Sequence, residues 1–225
     1  MKTINIFGGP GSGKSTTASG LFYEMKKHWI QAEYVQEFAK ELVWADSSHM
    51  LSEQNYIFAE QEHRLNRLRS KVEVAVSDSP LLLSSFYAPP AYPDSFHQSV
   101  FDFFHSYDNL NIFVERSHEY MLDGRIQNER EADELALRMK EYLLGNGIPF
   151  WSIAASDAGP VRLLGWLVSQ GYVQLPSGMQ DRFEREVVPD LAMAPSGWIR
   201  YNDTQVWRTG QNIQRARLED IHTVG

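Results

Sequence analysis

Residues 8–15 read Gly-Gly-Pro-Gly-Ser-Gly-Lys-Ser, which satisfies the phosphate-binding loop pattern G-x-x-x-x-G-K-[ST] at every fixed position. Residues 2–7 before it are apolar enough for a strand, and Ala18, Leu21 and Met25 after it have helical spacing. A strand, a glycine loop and a helix in this order form a phosphate-binding unit. The alternative is a Gly/Ser-rich turn without a ligand, which the complete match at the first strand-to-helix turn disfavours.

Each residue type in this loop has a chemical reason to be there. Glycines allow successive backbone N–H groups to converge on phosphate oxygens, and the start of the helix adds a partial positive charge. Lys14 is predicted to reach the β- and γ-phosphates, and the Ser15 hydroxyl to bind Mg²⁺. We therefore predict ATP and Mg²⁺ as cofactors. The predicted nucleotide-binding residues are Gly9, Gly11, Ser12, Gly13, Lys14, Ser15 and Thr16.

Composition and charge favour a soluble protein that acts on a small molecule. The chain has 225 residues and a net charge of −8, with 14 basic and 22 acidic residues in 1–160 and seven of each in 161–225. This distribution leaves no broad basic surface for nucleic acid. No signal peptide or membrane-spanning run is visible, so we expect a cytoplasmic protein without membrane contact. The absence of cysteine excludes disulfides, and the scattered histidines lack zinc-site spacing.

Strands and helices alternate along the first three quarters of the chain. After the opening strand and helix, strands are predicted at 32–36, 72–77, 110–114 and 148–153, the last of these closing the sheet. Helices are predicted at 38–44, 81–86, 95–107 and 160–170. A further long helix is predicted to start after an N-cap at Ser52, and another to run from an Asn128–Glu131 capping box to Leu144. The alternation predicts an α/β fold of the P-loop NTPase type, a mostly parallel sheet with helices on both faces.

The pattern changes after residue 171. We predict a P-loop domain at 1–171 and an irregular C-terminal extension at 172–225, in which 198–206 forms a strand or hairpin. The extension interleaves aromatic residues with arginines, a pattern that suits stacking on nucleic acid. Packing against the main domain is favoured instead because acidic residues balance the arginines. The residues concerned are Trp198, Arg200, Tyr201, Trp207, Arg208, Arg215 and Arg217.

Two acidic residues end predicted strands at the carboxyl edge of the sheet, where a ligand crevice is expected in this type of fold. Glu37 is our candidate for the general base that orients an acceptor hydroxyl, with an ordinary solvated glutamate as the alternative. Asp78 is expected near Ser15, where it would hold Mg²⁺ through water, a role compatible with capping a helix. Ser79 and Pro80 follow Asp78 where a motor ATPase would carry a water-activating glutamate, and the guanine motif N-K-x-D is absent. These features favour transfer to a hydroxyl over hydrolysis.

Residues 116–130 join a strand to a helix and carry three arginines. We predict a lid with Arg116 at its hinge and with Arg125 and Arg130 closing onto the transferred phosphoryl group. Arg130 falls in the first turn of a helix, where a cation is unfavourable. The alternative is a charged, exposed connection. The loop at 88–93 contains three prolines, and a position over the site is one option for it.

The ordered set GGPGSGKST (8–16), VQEFAKELV (35–43), AVSDSP (75–80) and NIFVERS (111–117), together with the arginine-bearing lid, resembles a known group of proteins. This group is the small P-loop kinases that include the nicotinamide riboside kinase domain, often labelled an AAA-type ATP-binding domain. Similar chains are encoded by bacteriophages, and some relatives phosphorylate a hydroxymethylated pyrimidine in phage DNA. The resemblance covers about residues 1–170. It implies the site roles given above and a position for 155–158 near adenine.

Two classes of function remain open at this point. The first is a kinase that transfers the γ-phosphate to a hydroxyl of a nucleoside- or nucleotide-type acceptor. That acceptor is either free, as the acidic first part suggests, or a base such as 5-hydroxymethyluridine in DNA, as the aromatic and arginine-rich extension suggests. The second is a regulatory or accessory P-loop ATPase with no acceptor. The sequence does not indicate an oligomeric state.

Overall fold

A computed structural model describes residues 1–117, 128–188, 199–201 and 206–208. These residues form one sheet with the strand order β2-β3-β1-β4-β5-β6-β7. Strands β1 to β5 run parallel, and β6 and β7 continue the sheet as an antiparallel hairpin. The strands are β1 (Lys2–Phe7), β2 (Ala32–Val35), β3 (Val74–Ser77), β4 (Asp108–Glu115), β5 (Phe150–Ala154), β6 (Ile199–Tyr201) and β7 (Val206–Arg208).

Helices separate the parallel strands, which confirms the predicted P-loop NTPase fold class. They are α1 (Lys14–Lys27), α2 (Phe38–Trp44), α3 (Gln54–Asn66), α4 (Leu82–Tyr87), α5 (Asp94–His105), α6 (Glu129–Gly145), α7 (Gly159–Ser169) and α8 (Gln180–Glu186), with a 3₁₀ turn at Ser48–Ser52. The helices formed by the described residues include none that is long and apolar enough to cross a membrane.

The central strand β1 is buried on both faces because helices cover each side of the sheet. Ile4 and Ile6 face a core shared with α1 and α7. Phe7 faces a second core, in which Phe113 and Phe150 meet α4, α5 and α6. Alternate side chains of this strand therefore pack into two different cores, and the strand ends directly at the glycine loop. This packing sets the position of the loop relative to both layers of helices.

The chain after residue 171 contains more regular structure than the sequence predicts. Val173, Phe183 and Val187 are buried in the core that contains α1 and α7. The ring of Phe183 also meets the edge of His28, with 5.6 Å between centroids. The predictions that β5 is the last strand of the sheet and that α7 is the final helix are therefore wrong, since β6 and β7 extend the sheet and α8 follows α7. The predicted strand or hairpin around 198–206 is confirmed by β6 and β7.

Two predicted helix starts have different outcomes. The capping box at α6 is confirmed, since the Glu131 amide donates to Asn128 Oδ1 at 3.0 Å and the Asn128 amide donates to Glu131 Oε2 at 2.9 Å. The N-cap at Ser52 is wrong. Ser52 Oγ donates back to the His49 carbonyl at 3.2 Å, and α3 begins after Glu53. A serine hydroxyl can satisfy a preceding turn as readily as a following helix, and here the 3₁₀ turn holds it.

Substitution of Phe183, which is 4% exposed, tests whether α8 belongs to the main core. We expect Phe183→Ala to lower the free energy of unfolding by about 3–5 kcal/mol, because it leaves a cavity against α1. Urea unfolding followed by circular dichroism measures this change. Trp44→Ala is the control, since Trp44 is 76% exposed, and its effect should stay within about 0.5 kcal/mol. Equal effects of the two variants would contradict this packing.

Candidate active site

The glycine loop connects β1 to α1 through backbone conformations that favour glycine. Gly11 has a φ of 72° and Gly13 a φ of 89°. Gly13 is the N-cap of α1, and no side chain caps the first turn of this helix. The first N–H groups of an α-helix lack partners within the helix. The start of α1 is therefore arranged to receive phosphate oxygens.

Neighbouring elements leave no room for side chains at the start of the loop. A Cβ at Gly8 would lie 2.4 Å from Ser12 Oγ and 2.7 Å from the Val114 carbonyl oxygen. A Cβ at Gly9 would lie 2.8 Å from Ala136 Cβ on α6. Contacts this short are not tolerated, so both positions require glycine. The loop is held between the end of β4 and one face of α6.

The side chain of Lys14 folds over this loop. Its Nζ donates to the carbonyl oxygen of Gly9 at 3.2 Å, which holds the ammonium group against the loop predicted to bind phosphate. The Lys14 charge also lowers the pKa of Glu37. Lys14 therefore acts on both the loop and the acidic group predicted to lie across the crevice.

Asp78 follows β3 and is 1% exposed. Its Oδ2 accepts a hydrogen bond of 2.7 Å from the Tyr34 hydroxyl, and its Oδ1 has no partner among the described residues. A buried carboxylate oxygen without a partner fits the predicted role of holding a metal-bound water. Asp78 does not cap a helix, because α4 begins at Leu82 with Leu81 as its N-cap. Only the metal role predicted for it remains a candidate.

The predicted Mg²⁺ site uses few protein ligands. Within the described ranges, no three His, Cys, Asp or Glu side chains group to hold a metal ion. Mg²⁺ commonly binds one or two protein oxygens together with waters and phosphates of a nucleotide. The Ser15 hydroxyl and the Asp78 carboxylate fit that pattern, since the Tyr34 hydroxyl interacts with both side chains.

Glu37 is the partly buried N-cap residue of α2, and its side chain makes no capping bond. Burial raises the pKa of its carboxyl group, and the negative charge of Asp78 raises it further. The positive charges of Lys14 and Lys40 lower the pKa. These effects operate only over short distances in a partly buried site. The structure thus brings Lys14, Glu37 and Asp78 together.

The three predicted lid arginines have different positions. Arg116 forms ion pairs with Glu129 and Asp133 and lines a cleft of about 360 Å³ beside the glycine loop. Arg130 is 89% exposed and pairs with Glu134 on its own helix at 2.8 Å. Arg125 lies outside the described residues. The structure therefore places Arg116 next to the loop and Arg130 on the outer surface of α6.

Two tyrosines and an arginine that were not among the predicted site residues lie near the acidic residues. Tyr34 contacts Asp78, as described above. Tyr87 at the end of α4 is 43% exposed. Partial desolvation of its hydroxyl raises its pKa, the charge of Glu37 raises it further and the charge of Arg138 lowers it. Tyr87 is therefore close to Glu37 and also to Arg138 on α6. The only signal for Tyr34 was its place in the short strand that leads to Glu37, and nothing pointed to Tyr87 or Arg138.

The proline loop at 88–93 and the segment 155–158 are the two other candidates for positions near the site. The proline loop at 88–93 lies against the start of α3, where the Tyr92 hydroxyl donates to Asn55 Oδ1 at 3.1 Å and its ring meets Phe96. The segment 155–158 follows β5, and the Ala155 amide donates to the Glu115 carbonyl at 2.9 Å. A role of 155–158 in adenine binding stays a prediction.

The profile of a protein family described as AAA domain matches residues 3–159. This chain belongs to the AAA domain family. No curated protein sequence matches this AAA domain protein at a significant level. The match covers the glycine loop, Glu37, Asp78 and Arg116, so the residues that meet in the structure all fall within the family region.

Three of the solved structures that match this chain have TM-scores between 0.34 and 0.55. NadR in complex with NR is 15% identical, with a TM-score of 0.55 over 79% of this chain and 53% of NadR. Deoxyadenosine kinase from M. mycoides is 17% identical, with a TM-score of 0.45 over 75% and 100% of the two chains. The APS kinase CysC of Mycobacterium tuberculosis is 18% identical, with a TM-score of 0.34 over 63% and 96%. The chain spans about half the length of NadR, and that similarity shows the fold alone.

The lack of space at Gly8 predicts that a side chain there would weaken nucleotide binding by this AAA domain. We expect Gly8→Ala to weaken the affinity for a non-hydrolysable ATP analogue about tenfold or more, because the added methyl group displaces Ser12 or β4. Isothermal titration calorimetry measures the affinity. Gly145→Ala is the matched control, since its added Cβ would meet no described atom within 4 Å. Tight binding by Gly8→Ala would show that the loop tolerates a side chain there.

Proposed function

We propose that this protein is an ATP-dependent kinase that transfers the γ-phosphate to a hydroxyl group of a nucleoside- or nucleotide-type acceptor. The observation that carries this proposal is the placement of Glu37, a partly buried carboxylate with a raised pKa, beside Lys14 and Asp78. A phosphate loop alone serves any nucleotide-binding protein. A carboxylate with a raised pKa next to it adds a group that can accept a proton from an alcohol.

The proposed reaction divides the work among these residues. Lys14 and the N–H groups of the loop bind the β- and γ-phosphates of ATP. Ser15 and Asp78 would hold Mg²⁺, which, when bound, neutralises negative charge on the phosphates. Glu37 orients the acceptor hydroxyl and takes its proton as the oxygen forms a bond to the γ-phosphorus. The bond from that phosphorus to the β,γ-bridging oxygen breaks, and ADP leaves with the electron pair.

The arginines would supply positive charge around the transferred group. Arg116 already borders the loop, where Glu129 and Asp133 hold its guanidinium. We propose that Arg125 and Arg130 reach the phosphates when the lid closes, which requires Arg130 to exchange Glu134 for a phosphate oxygen. Such an exchange costs little because the pair is exposed to water.

The surroundings of Glu37 support an acceptor with a flat ring and polar groups. Tyr87 offers a partly exposed aromatic ring near Glu37, and Arg138 adds positive charge near Tyr87. Aromatic rings stack on nucleobases and on similar heterocycles. NadR, which shares the fold, was solved with NR bound, and that compound therefore belongs among the acceptors to be tested. A hydroxymethylated pyrimidine in DNA is the second form of acceptor that we propose.

An acceptor screen tests the proposed activity directly. The protein is incubated with γ-labelled ATP and with four sets of acceptors: nucleosides, nucleoside monophosphates, nicotinamide riboside, and DNA with or without 5-hydroxymethyluracil. We expect a labelled product with one set. Slow release of phosphate that no acceptor changes would instead indicate an accessory ATPase and would remove the kinase proposal.

Substitution of Glu37 tests the base. We expect Glu37→Gln to lower the rate of transfer about 100-fold or more, because the amide cannot take the hydroxyl proton. Affinity for ATP should remain unchanged, as measured by calorimetry. Glu73→Gln, at an exposed position just before β3, is the control and should retain full activity. Full transfer by Glu37→Gln would exclude Glu37 from the mechanism.

The raised pKa of Glu37 predicts a pH dependence. Only the deprotonated carboxylate can accept a proton, so kcat/KM should rise with pH through a pKa above the usual glutamate range. Lys40 lowers that pKa, and Lys40→Met should therefore move the acidic limb to higher pH. Activity of this variant should fall more at acidic than at neutral pH. Lys71→Met, at an exposed position before β3, should leave the profile unchanged, and identical profiles for both variants would contradict this assignment.

A further inference from the structure

The Tyr34 hydroxyl lies at the metal side of the site. It donates a hydrogen bond of 2.7 Å to Asp78 Oδ2, while the ring stacks against Phe22 of α1 with 6.2 Å between centroids. A phenol is an ordinary hydrogen-bond donor at neutral pH, so Tyr34 supplies the proton of this bond and Asp78 accepts it.

The bond from Tyr34 makes the two oxygens of Asp78 different. Oδ2 has a partner, and Oδ1 is buried with none among the described residues. Rotation of a carboxylate exchanges its two oxygens unless a neighbour holds one of them. A phenylalanine at position 34 would give the same stacking on Phe22, so packing does not account for the hydroxyl. Its evident effect is on the orientation of Asp78.

We propose that Tyr34 is a positioning residue for the metal side of the site. By holding Oδ2 of Asp78, it presents Oδ1 to the water shell of Mg²⁺ next to Ser15. This inference rests on the proposed function, which assigns Asp78 and Ser15 to Mg²⁺. Groups that orient a metal-binding carboxylate in this way typically change metal affinity 10- to 100-fold when they are removed.

Tyr34→Phe tests this role because it removes the hydroxyl and keeps the ring. The readout is the affinity for Mn²⁺ of the full-length protein saturated with a non-hydrolysable ATP analogue, measured by electron paramagnetic resonance of free Mn²⁺. We expect Tyr34→Phe to weaken Mn²⁺ binding about tenfold. Affinity for the analogue in the presence of a chelator should not change, and saturating Mg²⁺ should largely restore transfer. A defect confined to folding would not respond to the metal concentration.

Two further variants separate the possible outcomes. Tyr23→Phe removes an exposed hydroxyl from α1 and should bind Mn²⁺ like the unmodified protein. Asp78→Asn should weaken Mn²⁺ binding more than Tyr34→Phe does. Normal Mn²⁺ affinity in Tyr34→Phe together with weak binding by Asp78→Asn would overturn the role of Tyr34 alone. Normal affinity in both variants would overturn the metal assignment in the proposed function, and with it the role of Tyr34.

Discussion

The site depends on the close approach of backbone to backbone at Gly8 and Gly9. Because β4 and α6 come within contact distance of these positions, the loop cannot carry side chains there. Helix α1 begins at Lys14, six residues after Gly8. The ends of β2 and β3 then bring Glu37 and Asp78 to this point, since parallel strands end at one edge of a sheet.

Electrostatics at this edge link groups that are far apart in the chain. Burial and Asp78 favour the protonated form of Glu37, while Lys14 and Lys40 favour the charged form. Binding of a nucleotide would draw Lys14 towards phosphate and reduce its effect on Glu37. The proton affinity of the proposed base therefore depends on whether ATP is present. Such coupling suits a reaction in which the hydroxyl should lose its proton only when the phosphate donor is in place.

Local patterns in the sequence predicted the parts of the fold that local interactions determine. The glycine motif, the strand ends at Glu37 and Asp78 and the capping box of α6 each depend on residues close together in the chain. Helix α8 was missed because its single buried aromatic, Phe183, is stabilised by α1 and α7 rather than by its own pattern. Tyr34, Tyr87 and Arg138 were missed for a related reason. Their significance lies in neighbours that are distant in sequence, and an isolated tyrosine in a strand resembles an ordinary core residue.

The contact between α8 and His28 has a mechanical consequence for the glycine loop. Helix α1 has 14 residues and is about 20 Å long, with the phosphate loop at its start and His28 at its end. Phe183 packs at one end of this helix, and the glycine loop lies at the other end. Helix α8 therefore helps to fix the position of the helix whose first turn forms the predicted nucleotide site.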